Sequence, residues 1–273
     1  MKRLLARCAS LVLLAPLLSV IAGCASYQTA PATHHPLQSS SAENAIIRLD
    51  DGYVLSNNIW NKGAASGPYT EDIFRDVLNG APVFGWEWQW PSSSNVVSYP
   101  EVIYGDKPWG PDLKLVPAFP FLVGSRNITA RFDITLEAKG FYNMAFSLWI
   151  VSSLPATREK ITHEIMIWNF NHFGEPAGIR RGTVEVGGVT YDLYVRESHG
   201  DASGQNANTW TYVAFAARTP VLKGPLQISL FVDYLLAKGI LARDEYLTSV
   251  ELGNEIMEGT GKVLIQGYSI VVE

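Results

Sequence analysis

The chain is poor in cysteine, in charge and, after its first two dozen residues, in long apolar runs. Each shortage narrows what the protein can be. Of 273 residues only two are cysteines, Cys8 and Cys24, both near the N-terminus. Everything after Cys24 must therefore hold together without a disulfide, and a stretch of that length can do so by core burial. Charged residues make up 17 % of the chain, against about 25 % in an ordinary globular domain. Acidic side chains outnumber basic ones, 26 to 21. Setting aside the N-terminal Lys2, Arg3 and Arg7 leaves 18 basic residues against 26 acidic ones, a net charge of −8. That excludes nucleic acid and other polyanions as natural partners and suits a neutral ligand. No internal repeat is visible, and no Pro/Ser-rich break divides the chain beyond residue 45.

The one apolar run lies at the start. Met1 to Arg7 is a basic segment, and Cys8 to Ala22 is apolar except for Ser10, Pro16 and Ser19. This is too short to span a bilayer comfortably and reads as a signal peptide, residues 1–23. It ends in Ile21-Ala22-Gly23-Cys24, which resembles a bacterial lipobox, with cleavage before Cys24 and lipidation of its thiol. Ala25 after the cysteine is similar to a Gram-negative outer-membrane sorting signal, so a lipid-anchored envelope protein with surface exposure is expected. Residues 24–44 hold Ser, Thr, Gln, Ala and Pro and read as a flexible tether, with a root-mean-square span of roughly 25 Å. His34-His35 in that tether reads as a solvated pair rather than a metal site. The domain is expected over 45–273.

Within the domain, short alternating runs recur between Gly, Pro, Asn and Asp: Phe132/Ile134/Leu136, Met144/Phe146/Leu148/Ile150, Tyr191/Leu193/Val195 and Val263/Ile265. Val186-Gly187-Gly188-Val189 predicts a two-residue hairpin turn. One stretch, Ile228 to Lys238, carries helical periodicity and is followed by Gly239. Many strands with one short helix predict an all-β, jelly-roll sandwich of two antiparallel sheets with a concave cleft.

Two glutamates stand in matching strand settings. In Thr162-His163-Glu164-Ile165-Met166-Ile167-Trp168 the period of two puts Glu164, Met166 and Trp168 on one face and the isoleucines on the other. In Ser249-Val250-Glu251-Leu252-Gly253-Asn254-Glu255 it groups Glu251 and Glu255 opposite Val250 and Leu252. A carboxylate beside a large aromatic, backed by core aliphatics, suits a sugar-cleaving cleft, where the ring stacks on a pyranose and two carboxyls do the chemistry. Trp86, Trp88 and Trp90 also share one face. They read equally as a sugar platform or as core aromatics, with at least one, Trp88, expected in the cleft. Trp149 leans to the cleft because it shares a face with Ser147. His163-Glu164 begins like a zinc-protease motif, but Ile167 stands where the second histidine belongs, so no metal is expected. His172 and Glu175, in a Gly/Pro loop, read as solvated.

Four segments together resemble glycoside hydrolase family 12, a family of retaining endo-β-1,4-glucanases and xyloglucanases. His163 to Trp168 resembles its nucleophile segment and Gly174 to Val195 the hairpin that follows. Ser249 to Glu255 resembles its acid/base strand, and Asn57-Asn58-Ile59-Trp60 its N-terminal sugar-binding motif. The resemblance runs from about Val54 to the C-terminus. It implies a concanavalin-like jelly roll, Glu164 as nucleophile, Glu255 as general acid/base, and carboxyls roughly 5–5.5 Å apart. It also implies sugar contacts from Asn58, Trp60, Ser147, Trp149, Met166 and Trp168, a monomer without cofactors, and a β-glucan partner; with no second domain visible to dock on an insoluble surface, soluble glucans are expected ahead of crystalline cellulose. Two positions depart from the pattern. Ser147 stands where many members carry Asp, keeping a hydroxyl able to hydrogen-bond Glu164 but adding no charge. Ile256 stands where some carry Pro. Glu251 is expected in a buried polar network. The alternative from another class is a non-catalytic glucan-binding lipoprotein, which would need the tryptophans but not both glutamates.

Overall fold

The computed structural model describes residues 36–109, 113, 116–172 and 174–273. The signal segment, Cys24 and His34-His35 lie outside the described residues. Fifteen strands run in chain order: β1 (Gln38–Ser40), β2 (Ile46–Arg48), β3 (Val54–Ser56), β4 (Thr70–Leu78), β5 (Ala81–Trp90), β6 (Glu101–Gly105), β7 (Phe121–Leu122), β8 (Ile128–Val151), β9 (Ile161–Asn171), β10 (Ile179–Val186), β11 (Val189–Gly200), β12 (Thr209–Ala217), β13 (Lys223–Gln227), β14 (Tyr246–Gly253) and β15 (Ile256–Val272). One helix, α1 (Ile228–Ala237), sits between β13 and β14.

The strands form two sheets joined by β8. Its first half, residues 128–142, pairs with β15 in a sheet ordered β1-β4-β5-β15-β8, with β13 on β8's other edge. Its second half, residues 143–151, pairs with β9 and β14 in a sheet ordered β2-β3-β6-β14-β8-β9-β12-β11-β10. The change of sheet falls beside Gly140, which sits at φ +112° directly across from Gly259 at φ +108°. A Cβ on Gly140 would lie 2.3 Å from the Glu258 carbonyl oxygen, and one on Gly259 would lie 1.9 Å from that of Lys139. Only glycine lets the two backbones pass at this corner.

Among the described residues all strand pairings but one are antiparallel: β12 lies parallel to β9, with Tyr212 opposite Glu164. Strands β10 and β11 intervene in the chain, so β12 returns in the same direction as β9 and joins its free edge. The Gly187-Gly188 hairpin forms as expected between β10 and β11, both glycines at positive φ, with Val186 opposite Val189. Gln38–Ser40, inside the stretch read as tether, pairs with Ile73–Arg75 as an edge strand.

Period two then sorts the side chains. Phe146, Leu148 and Ile150 of β8, Ile165 and Ile167 of β9, Val213 and Phe215 of β12, and Val250 and Leu252 of β14 are all fully buried in the core between the sheets. Phe231 of α1 meets Tyr191 and Phe215 edge-on, so the helix covers part of that same face. The alternate residues of β8, β9, β12 and β14 point the other way, into a cleft.

The three tryptophans of β5 correct an expectation. Trp88, expected among the sugar contacts, is 4 % exposed, and Trp86 and Trp90 are equally buried. All three belong to the core because β5 lies in the sheet opposite the cleft, and its inward face meets the core. Trp86 Nε1 donates to Asn254 Oδ1 at 2.7 Å and Trp90 Nε1 to Glu71 Oε2 at 2.6 Å. The Trp88 ring packs edge-on to Tyr142 and lies over Gly261, where a Cβ would come within 2.3 Å of it.

Candidate active site

The second sheet curves around a cleft enclosing about 420 Å³, with Glu164, Glu251 and Glu255 in its lining. Asn58, Trp60, Ser147, Trp149, Met166 and Trp168 line it as well. Of the residues expected to react with or contact sugar, Trp88 alone stands elsewhere. Glu175, read as a solvated loop residue, is exposed at the cleft's edge.

Each glutamate is placed by its strand and then held by a neighbour. Glu164 lies mid-β9, opposite Trp149 of β8 and Tyr212 of β12. Trp210 Nε1–H donates to its Oε2 at 2.9 Å. Ser147, whose hydroxyl is able to make such a bond, does not make it. The Ser147 hydroxyl is buried and has no hydrogen-bond partner among the described residues. Ser147 lies beside Met166, two residues along β9, and across from Glu251 on β14. Glu255 follows the end of β14, in the two-residue link to β15. Asn143 of β8 clamps it: the Asn143 side-chain oxygen accepts the Glu255 backbone N–H at 2.9 Å, its Nδ2–H donates to Glu255 Oε2, and its own backbone N–H donates to the Glu255 carbonyl at 3.1 Å. Ile256 then buries its side chain and donates its backbone N–H to Ser98 O at 3.2 Å. A proline there would lose that bond.

Burial raises both carboxyls. Glu164 is pushed up to about 8, by desolvation first and by the negative charge of Glu255 second, with the Trp210 hydrogen bond opposing. Glu255 is pushed up to about 7 by desolvation, opposed by Asn143. Two interacting carboxyls titrate as a pair, so near neutrality the site carries one proton between them. That composition, one carboxylate and one carboxylic acid in one cleft, is what attack on an anomeric carbon with protonation of the leaving oxygen requires.

Beside the pair lies a buried ionic cluster. Lys107 Nζ donates to Glu101 Oε1 at 2.6 Å and to Glu251 Oε2 at 3.0 Å. Burial alone would lower the lysine, but the two glutamates outweigh it and hold it above its ordinary value. Glu251 also accepts from Ser249 Oγ at 3.0 Å and Trp149 Nε1 at 3.2 Å, the polar network expected for it. Asn58 Nδ2 donates to Glu101 Oε1 at 2.9 Å, which fixes the side chain expected to face sugar.

The cleft has an aromatic wall of which only Trp149 was expected from the sequence. Trp109, Trp149 and Trp210 cluster with ring centroids 4.8–5.7 Å apart, and the Arg158 guanidinium lies 5.9 Å from the Trp109 ring. Such faces suit pyranose stacking. Tyr212 donates its hydroxyl to Met166 Sδ at 3.4 Å, holding the thioether at the floor. Trp210 and Tyr212 alternate on β12 with Val213 and Phe215 of the core, a signal present in the sequence. Only the parallel pairing with β9 puts them beside Glu164.

Residues 51–273 match the family model described as glycosyl hydrolase family 12. Endoglucanase S of Pectobacterium parmentieri is 29 % identical over 87 % of this chain and 89 % of its own. The xyloglucan-specific endo-beta-1,4-glucanase A of Emericella nidulans is 28 % identical over 81 % of this chain and 85 % of its own. The native family 12 xyloglucanase from Bacillus licheniformis superposes with a TM-score of 0.76 at 29 % identity, over 86 % of this chain and all of that one. With the match running from residue 51 to the C-terminus, across both glutamate strands and every wall of the cleft, the chain belongs to glycosyl hydrolase family 12.

Proposed function

We propose that this protein is a retaining, endo-acting hydrolase of β-1,4-linked glucans. The observation that carries it is the convergence of Glu164 and Glu255, from separate strands, as two half-buried, interacting carboxyls in one aromatic-walled cleft. Glu164 attacks the anomeric carbon as its carboxylate while Glu255 gives its proton to the leaving oxygen. Glu255, now a carboxylate, then takes a proton from the water that releases the sugar. A protein that only binds glucan needs the tryptophans of this cleft, but has no use for two adjoining half-buried acids. Soluble glucans such as xyloglucan or mixed-linkage glucan are the favoured substrates, and the chain acts as a monomer.

Azide tests the division of labour. Glu255→Ala should still glycosylate with an aryl cellobioside, whose leaving group needs little protonation, and azide should restore its turnover as the β-glycosyl azide. Glu164→Ala should lose activity on every substrate, and its azide product should be the α-anomer. Opposite anomers would reverse the roles, and two fully active variants would sink the assignment.

We also propose that Cys24 carries the lipid that tethers the domain to the envelope, in the outer membrane. The basic start, the Cys8–Ala22 apolar run and Ile21-Ala22-Gly23-Cys24 support it. Among the described residues no helix is long and apolar enough to cross a membrane. Cys24→Ser should release active enzyme into the soluble fraction; a variant that stays with membranes refutes the anchor.

A further inference from the structure

The Lys107 cluster holds two carboxyls against one cation. Glu101, Lys107 and Glu251 are all buried, at 0, 9 and 1 % exposure. Two carboxylates beside one ammonium would leave an uncompensated negative charge in the floor of the sandwich, a state that burial disfavours strongly. One negative charge is therefore held against Lys107, and the two glutamates compete for it. The donors decide the competition. Glu251 accepts from Lys107, Ser249 and Trp149, and Glu101 from Lys107 and the neutral Asn58 amide. With three donors to two, the negative charge is better held on Glu251 and the proton on Glu101.

The two positions are not equivalent with respect to the reacting pair. Glu251 lies on β14, four residues before Glu255 and directly across from Ser147, which is itself across from Met166 on Glu164's face of β9. Glu101 lies one strand further out, on β6, where it pairs with Gly253 of β14 and Ser56 of β3. A charge on Glu251 thus bears on Glu164 more closely than one on Glu101, and it is Glu251 and Lys107 that act on Glu164 beside Glu255 and Trp210.

We propose that Glu251 is a positioning residue for the nucleophile, acting through the negative charge that Lys107 holds on it. This rests on the reading of Glu164 as nucleophile. The charge on Glu251 opposes a second one on Glu164 and so sets the pH at which Glu164 becomes able to attack. Glu101 serves Asn58 and the sugar instead. The other groups around Glu164 do not titrate in the working range. Tyr99, before β6, and Tyr212, on β12, are held well above the ordinary phenol range by burial and by the surrounding glutamates. His199, on β11 against Trp210 and Tyr212, is held near 4 by burial and stays neutral. Glu175, Asp201 and Arg158 stand at the rim.

The test is the pH profile of kcat/KM on an aryl β-cellobioside, from pH 4 to 10, for the intact enzyme and for Glu251→Gln and Glu101→Gln, with Tm measured for each. Glu251→Gln passes the negative charge to Glu101, away from Glu164. Its acid limb should move to lower pH by about half a unit to one unit. Glu101→Gln leaves the charge on Glu251, so its acid limb should not move down. An acid limb that stays put in Glu251→Gln overturns the proposal. So does an equal shift in both variants, which would mean a general loosening of the floor. Should Glu251→Gln not fold, Ser249→Ala removes one donor that keeps Glu251 ionised and should move the limb in the same direction by less; an unmoved limb there is equally fatal. Glu164→Ala separates the two ideas. If it remains active, the nucleophile assignment has failed; if it is inactive and the limb is unmoved, only the role of Glu251 has.

Discussion

Glu164 and Glu255 must do opposite things in one pocket. The first has to be an anion when it attacks, and the second has to hold a proton. Burial makes every charge costly here, so it raises both, to about 8 and about 7, and prevents the pair from carrying two charges near neutrality. The remaining proton is shared by the pair. A bound glycosidic oxygen beside Glu255 is a hydrogen-bond acceptor that draws it across, giving the form that reacts. The profile of kcat/KM should therefore be bell-shaped with a near-neutral maximum: activity falls on the acid side as both carboxyls are protonated and on the alkaline side as both ionise. Trp210 is the sharpest handle on the acid limb, because its indole N–H favours the anionic form of Glu164. Trp210→Phe keeps a ring in the aromatic wall and removes the donor. A hydrogen bond to a charged group is worth roughly 1.5–3 kcal/mol, so kcat/KM should drop roughly 10- to 100-fold at neutral pH. The acid limb should move to higher pH. A neutral effect on both would mean that Trp210 serves only as wall.

Strands rather than single residues decide what faces the cleft. The alternation in Glu164/Met166/Trp168 against Ile165/Ile167 was legible because one face of β9 meets a core that accepts only aliphatics, while the other carries a carboxylate. The Gly187-Gly188 turn and α1 were legible for the same local reason: turn geometry and helical period are written within a few residues. The Trp86/Trp88/Trp90 face was not. Period two shows that a strand has an inward side, yet not which sheet it belongs to, and an aromatic row looks the same in a core as on a sugar platform. Lys107 and Asn143 were missed because nothing near them in the chain marks them, and Trp210 because its alternation with Val213 and Phe215 does not say which strand β12 joins. Their importance arises where β6, β8 and β12 are brought beside β14 and β9. β5 allows this distinction to be measured. Trp88→Ala removes a buried indole from the core and should cost roughly 3–5 kcal/mol of stability, read as a lower denaturation midpoint. KM for glucan should be unchanged in the fraction that folds. A raised KM at unaltered stability would return Trp88 to the cleft.

The whole molecule carries its functional charges inside, and that fixes how its stability should respond to pH. Glu71 and Glu255 are raised to about 7 and Glu164 to about 8, all mainly by desolvation, and Glu101 is raised as well. A carboxyl whose folded value lies above its unfolded one gives the fold its full contribution below the unfolded value, near 4.5. That contribution declines as pH rises through the folded value, because the unfolded chain ionises freely and the folded one cannot. Asp192 works the other way, held near 2 by Arg218 and Arg180, but its contribution is lost only in strong acid, outside the range at issue. Thermal stability should thus be highest in mild acid and should fall by roughly 5 °C or more between pH 5.5 and 9. The slope has a source that can be removed. Glu164→Gln and Glu255→Gln together abolish catalysis but remove two of the desolvated acids, so the double variant should melt higher than wild type at pH 9, while the two converge at pH 4.5. A wild-type Tm that is flat or rising over this range would mean that the cleft lets water reach its carboxyls in the resting enzyme. The near-neutral activity maximum would then lose its physical basis along with the stability slope, since both come from the same desolvation.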